Sequence, residues 1–144
     1  MRADKYLSQV QDIYMRIDSV QRSIKRIDEL LITAGVSEYG KERVSGGSRG
    51  NRIEDYIVKK ERHEKKLERL CFEGITLISK ITDQLSKLSP LHSAILGMRY
   101  IECMDFEDIG RELHYAKGSV YNQHGWALRE FEKKFFKNKS DEKK

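Results

Sequence analysis

Residues 89–135 read SPLHSAILGMRYIECMDFEDIGRELHYAKGSVYNQHGWALREFEKKF, and this stretch decides the fold. Ser89-Pro90 opens it: serine is a preferred helix N-cap, and proline is tolerated at the first helical position because its missing N–H has no partner there. The spacing predicts a first helix from Pro90 to about Ile101, with Leu91, Ile95, Met98 and Ile101 on one face. A break follows at Glu102-Cys103-Met104. Asp105 can cap the second helix, and Asp108 three residues on completes a box-like signal, although aspartate is shorter than the usual glutamate. This helix turns Phe106, Ile109 and Leu113 inward. Gly110 stands where the next helix crosses closely, so a small residue is needed there. His114-Tyr115 makes the turn, and a third helix runs from about Lys117 to Phe135.

Three short helices with a tight turn between the last two have one physical use that stands out. A helix about 10–12 Å across fits a major groove about 12 Å wide. To enter the groove it must be held by a second helix lying across it. Ile109, Leu113, Tyr115, Val120, Ala127 and Leu128 are the apolar residues expected to do the holding. Lys117, Gly118, Ser119, Tyr121 and Asn122 are then left to face outward from the first two turns of the third helix. Lysine and serine suit phosphate contact, and asparagine suits adenine. Arg129, Lys133, Lys134 and Lys137 follow as a basic run that can reach phosphates. The plainer reading of both groups is a solvated helix face and a solubilising helix end whose cations offset the helix dipole. Trp126 reads as a core residue or a contact to the N-terminal helices.

The segment from Leu88 to Phe131 resembles region four of bacterial sigma factors and their relatives. The matching residues are Arg99-Tyr100-Ile101, Asp108-Ile109-Gly110, Leu113, Gly118-Ser119-Val120 and Ala127-Leu128. Joined to a long helical N-terminal segment, the layout is similar to the phage-encoded regulators of the ArpU and RinA type. That resemblance implies a sequence-specific DNA-binding transcription regulator, an activator of late phage genes in a bacterial host. The chain departs from the pattern at several places. Ala116 stands where a serine or threonine cap is usual, and Tyr121 and Asn122 stand where arginine is common. Gln123 takes a position that is usually apolar and must swing outward or find a partner within the protein. Gly125-Trp126 replaces a pair that favours the helix more.

Upstream of Ser89, apolar residues recur at heptad spacing. Val10, Ile17, Ile24 and Leu31 form one row, and Tyr6, Ile13, Val20, Ile27 and Ala34 form the other, which predicts one helix from Ala3 to Ala34 with a coiled-coil-like seam. Gly35 is a plausible C-cap. The glycine- and serine-rich run over 35–52 reads as a flexible loop. A second long helix is expected from about Ile53 to Leu88. Its rows are Ile57, Glu64, Cys71, Ile78, Leu85 and Ile53, Lys60, Leu67, Gly74, Ile81, Leu88, interrupted by Lys60 and Glu64. The expected fold is therefore all-α: a long antiparallel helical hairpin over 1–88, a three-helix helix-turn-helix over 89–136, and a disordered basic tail over 137–144.

Bulk properties agree with this and exclude several classes. Charged residues make up 35% of the 144 and there is one proline, which fits a helical protein better than a sheet protein. The net charge of +5 favours polyanionic partners only weakly; its distribution says more. Residues 116–139 carry six lysines and arginines against two acids, whereas the first 34 carry six against five. Cys71 and Cys103 are expected to be reduced, buried thiols. They are isolated, and His63, His92, His114 and His124 are scattered, so no zinc-finger spacing exists and neither a metal nor another cofactor is expected. The SGGSRGN stretch lacks the lysine-threonine ending of a phosphate-binding loop. No nucleophile is paired with a base, so an enzyme is not expected, and Glu73, Glu107 and Asp108 read as surface charge. No apolar run suits a membrane. The expected partners are double-stranded DNA, RNA polymerase, and a second copy joined through the N-terminal helices, in the cytoplasm at the nucleoid. Two competing readings are a DNA-packaging recognition subunit of the small-terminase kind, and a sigma-like protein that binds polymerase without touching DNA.

Overall fold

A computed structural model of the chain describes residues 2–35 and 47–136, and the side chains of all of these but 47–51. The chain is all-α, with no strand among the described residues. Helix α1 spans Ala3–Leu7, α2 Gln9–Thr33, α3 Gly47–Leu85, α4 Pro90–Leu96, α5 Phe106–Leu113 and α6 Lys117–Phe135; a π-helical segment, Gly97–Ile101, continues α4. No helix among the described residues is long and apolar enough to cross a membrane. Part of the expected loop, 36–46, and the tail 137–144 lie outside the described residues. The third helix begins at Gly47 rather than Ile53, so the loop is shorter than its glycine content suggests.

The single helix expected from Ala3 to Ala34 is interrupted at Ser8. The interruption is slight: the Ser8 N–H still bonds the Asp4 carbonyl at 3.0 Å, the Asp12 N–H bonds the Ser8 carbonyl at 3.2 Å, and the Ser8 hydroxyl adds a second bond to the Asp4 carbonyl at 2.7 Å. Gly35 ends α2 as foreseen, with φ of 87° and its N–H on the Ile32 carbonyl at 2.9 Å.

Packing divides the chain into two compact units. One joins the residues up to Ile13 with those from Gly74 onward, and the other is Tyr14–Glu73. Ser89-Pro90 is thus a helix boundary, not a boundary between packing units. The reason lies in the first unit's larger cluster, where Ala3, Leu7 and Val10 meet Ile81, Leu85 and Leu88, and also Leu96, Tyr100, Ala127 and Phe131. A smaller cluster gathers Ile95, Ile109 and Val120, one each from α4, α5 and α6, with Leu91, Met98, Met104, Phe106 and Leu113 around them.

Helix α4 and its π-helical continuation separate the two clusters. Leu91, Ile95 and Met98 face the smaller one, as their spacing predicts. Ile101 does not join them: it packs against the larger cluster beside Leu96 and Tyr100. The wider turn explains the switch. Glu102 donates to the Gly97 carbonyl at 3.0 Å, five residues back, so the residues near the end of the segment are rotated off the α-helical face. The break at Glu102–Met104 is present and turns on Cys103, whose φ of 59° is left-handed. Cys103 is exposed and Cys71 half-buried, so neither thiol is the fully buried group expected from its apolar neighbours in sequence.

In the unit Tyr14–Glu73, the expected seam of α2 is present. Val20, Ile27 and Leu31 are buried, and Ile17 and Ile24 are half-buried. On α3 the expected row Ile53, Lys60, Leu67 is half-buried, and so are Ile57 and Cys71 of the second row. Glu64 is exposed, while Tyr56 and His63 are half-buried and Leu70 is buried. The covered stripe thus broadens to both sides of the first row, and of the expected residues only Glu64 falls outside it. Lys60, read as an interruption, reaches Asp28 with its ammonium 2.7 Å from the carboxylate, and only 15% of its side chain is exposed. Its stem covers apolar surface while its charge meets a partner.

Candidate nucleic-acid interface

The seat of α6 is built from the turn before it. Asp105 caps α5 by accepting the Asp108 N–H at 2.8 Å. The reciprocal half of the expected box is absent, because the Asp108 carboxylate turns to the Arg111 guanidinium one helical turn on. His114 ends α5 in the left-handed conformation, φ 63° and ψ 41°. The Tyr115 N–H then returns to the Gly110 carbonyl at 2.8 Å. Gly110 is required for a sharper reason than helix crossing. A Cβ there would lie 2.6 Å from the Tyr115 carbonyl oxygen and 3.5 Å from Val120 Cγ2. The turn itself therefore occupies the space a side chain would need. The Tyr115 ring is 45% exposed and does no holding, contrary to its reading as an inward residue: the left-handed turn sends it outward.

Helix α6 begins at Lys117 as predicted. Ala116 at the cap position gives it no side-chain hydrogen bond. Ser89, the other proposed cap, also makes none. Its hydroxyl is drawn to the Glu130 carboxylate of α6 at 3.0 Å instead.

All seven candidate contact residues, Lys117, Gly118, Ser119, Tyr121, Asn122, Arg129 and Lys133, are exposed. Val120 beneath them is fully buried. Tyr121 is 63% exposed, with its ring edge-on to Phe106 at 5.7 Å between centroids, which restricts its direction. Trp126 was expected in the core or against the N-terminal helices. It is 51% exposed, because seven residues beyond Ser119 it falls on the face opposite the buried stripe.

The two acids of α6 face the protein. Glu130 accepts from Ser89 and lies 2.7 Å from His92 Nδ1; the His92 bond is the largest cause holding its carboxyl below the ordinary carboxylate range. Glu132 accepts the Ala3 N–H at 3.1 Å. The Lys134 ammonium bonds the Lys87 carbonyl. Among the described residues, none forms an ion pair with Lys117, Arg129 or Lys133. The outward face of α6 is therefore cationic even though the helix contains carboxylates. Sequence alone does not show this, since it does not say which way Glu130 and Glu132 turn. Gln123, the polar residue at a usually apolar place, stays half-buried and meets His92 Nε2 at 3.2 Å.

Behind the face lies an aromatic stack. His124 sits 5.0 Å from the Phe106 centroid, and its Nε2 lies 2.8 Å from the Tyr100 hydroxyl. Arg99 covers the other part of this group, 4.3 Å above the Phe106 ring and bonded to the Met104 carbonyl. Burial, helped by Arg99, lowers the His124 pKa below 6.5. Burial chiefly, with Asp4 adding, pushes the Tyr100 phenol up to about 12. Both shifts favour neutral groups, an arrangement that suits a hydroxyl donating to an unprotonated ring nitrogen.

Among the described residues, no three His, Cys, Asp or Glu side chains gather as a metal ion would need. Comparison of the chain with family models, with curated proteins and with solved structures finds no match.

Proposed function

We propose that the protein is a sequence-specific double-stranded-DNA-binding transcription regulator that inserts the front of α6 into the major groove. The observation that carries this reading is the leading edge of α6. Lys117, Gly118, Ser119, Tyr121 and Asn122 are all exposed, while Val120 between them is locked into a three-helix cluster with Ile95 and Ile109. A helix held firmly from behind and bare in front is what groove entry requires. Lys117 and Ser119 would hold phosphates, Asn122 would read a base edge, and Arg129 and Lys133 would fix register on the strand. The resemblance to sigma region four supports the same reading, and the ArpU/RinA-like layout makes a phage late-gene activator the most specific form of it. In that form the N-terminal helices join two copies or present a surface to RNA polymerase.

The test is selection of bound duplexes from a random pool, followed by footprinting and titration at several salt concentrations. Lys117→Ala should lower the salt slope of binding by about one unit, equally on all sequences. Asn122→Ala should cost about 1–3 kcal/mol and relax preference at one base pair. A pool that yields no enriched duplex, or variants that alter neither affinity nor slope, would overturn the proposal.

A further inference from the structure

Ser119, Asn122, Trp126, Arg129 and Lys133 follow one another at intervals of three and four residues, so they form one stripe along α6. All five are exposed, and the stripe opposite, Val120, Ala127 and Phe131, is fully buried. The chain's one tryptophan thus stands in the middle of the cationic face. A scattered exposed apolar residue needs no explanation, but this one has particular neighbours. Arg129 lies one turn beyond it and Lys133 two turns beyond, both exposed, while Glu130 and Glu132 are bonded inward. Gly125 precedes it, and a Cβ there would meet nothing within 4 Å. The protein's own packing therefore gives no reason for a glycine in mid-helix, where it costs helix propensity.

We infer that Trp126 is itself a DNA contact, and that the interface runs along the trailing half of α6 as well as its front. This inference rests on the proposal that α6 enters the major groove. From Ser119 to Lys133 the helix rises about 21 Å, whereas the groove is about 12 Å wide. The leading turns occupy the groove and the trailing turns meet the strand that walls it. That strand alternates an apolar deoxyribose with an anionic phosphate. An apolar ring followed by two cations on one stripe matches that alternation: the Trp126 ring lies on the sugar edge, and Arg129 and Lys133 bond the phosphates. The bare backbone at Gly125 lets the strand approach.

Because Trp126 is the sole tryptophan, the wild-type chain reports on this contact directly. A random-sequence duplex of about three helical turns, carrying a dye, serves as the probe at low salt, since sugar and phosphate contacts do not depend on sequence. Dye anisotropy measures binding, and tryptophan emission with acrylamide quenching measures burial of the ring. The expected result is that emission changes and acrylamide access falls at the same protein:DNA ratio at which anisotropy saturates. Trp126→Ala should then weaken binding about tenfold with an unchanged salt slope, and Arg129→Ala should lower the slope by about one. Saturable binding with unchanged emission and quenching overturns this inference and leaves the DNA-binding proposal standing. Absence of binding even at low salt overturns both.

Discussion

The two halves of α6 are one helix with opposite relations to the rest of the molecule. From Lys117 to Asn122 only Val120 is buried, and the first turn has no side-chain cap. From Ala127 to Phe135 the helix is gripped: Ala127 and Phe131 are fully buried, Phe131 lies 5.8 Å from Tyr6 and 4.8 Å from Phe135, and both acids are bonded to other elements. The difference teaches that anchorage is concentrated in the trailing half, where it takes one face of the helix and leaves Arg129 and Lys133 exposed on the other. The trailing half fixes where the helix lies, and the leading half, held through Val120, keeps five of its six residues exposed.

The largest effect should come from loosening the grip. Phe131→Ala removes a fully buried ring from the larger cluster and should cost about 3–5 kcal/mol in urea unfolding. If the cost is under about 1 kcal/mol, the trailing half is not the anchor. Gly110→Ala tests the seat of the leading half. With backbone oxygen 2.6 Å from the new methyl, the turn must shift, at about 1–3 kcal/mol. DNA affinity should fall further than the unfolded fraction explains, since the displaced element is the leading edge.

Between the halves stands His124, kept neutral mainly by burial, so its pKa lies below 6.5. The unfolded chain therefore binds more protons than the folded one in the interval between the two pKa values. The contribution of this site to stability is complete above about pH 6.5 and is lost as pH falls through that value toward the folded pKa. The parent's urea midpoint should drop between about pH 7.5 and pH 5.5, and His124→Gln should flatten that drop. An unchanged drop would mean that other groups carry it. The smallest effect has the opposite sign. His114 holds φ of 63°, where a side chain is strained. His114→Gly should raise stability by up to about 1 kcal/mol, read as a higher urea midpoint, without altering DNA affinity.

What could be read from sequence follows a physical line. Features set by local backbone chemistry were legible: the start at Pro90, the Asp105 cap, the left-handed Gly35, the small residue at Gly110 and the limits of α6. Features that depend on which of two permissible faces packs were not. The half-burial of Tyr56 and His63 beside the expected rows of α3, the direction of Trp126 and Tyr115, and the half-buried Lys60–Asp28 pair all belong to this group. The π-helical segment was also invisible, and with it the turn of Ile101 away from Met98. For the candidate site, exposure of the seven contact residues followed from the periodicity around Val120. The cationic character of the face did not, because it rests on Glu130 finding Ser89 and His92, and on Glu132 finding Ala3.

That last bond joins residues 129 positions apart, the widest separation among the side-chain hydrogen bonds described. Ala3, Leu7 and Val10 share the larger cluster with Ala127 and Phe131. On an emerging polypeptide, the α1 segment thus waits for a partner synthesised 129 residues later. Closing so long a loop is slow compared with forming the local three-helix cluster. The leading turn of α6 can therefore be shaped early, while the docking that holds the far end of the helix is a late folding step.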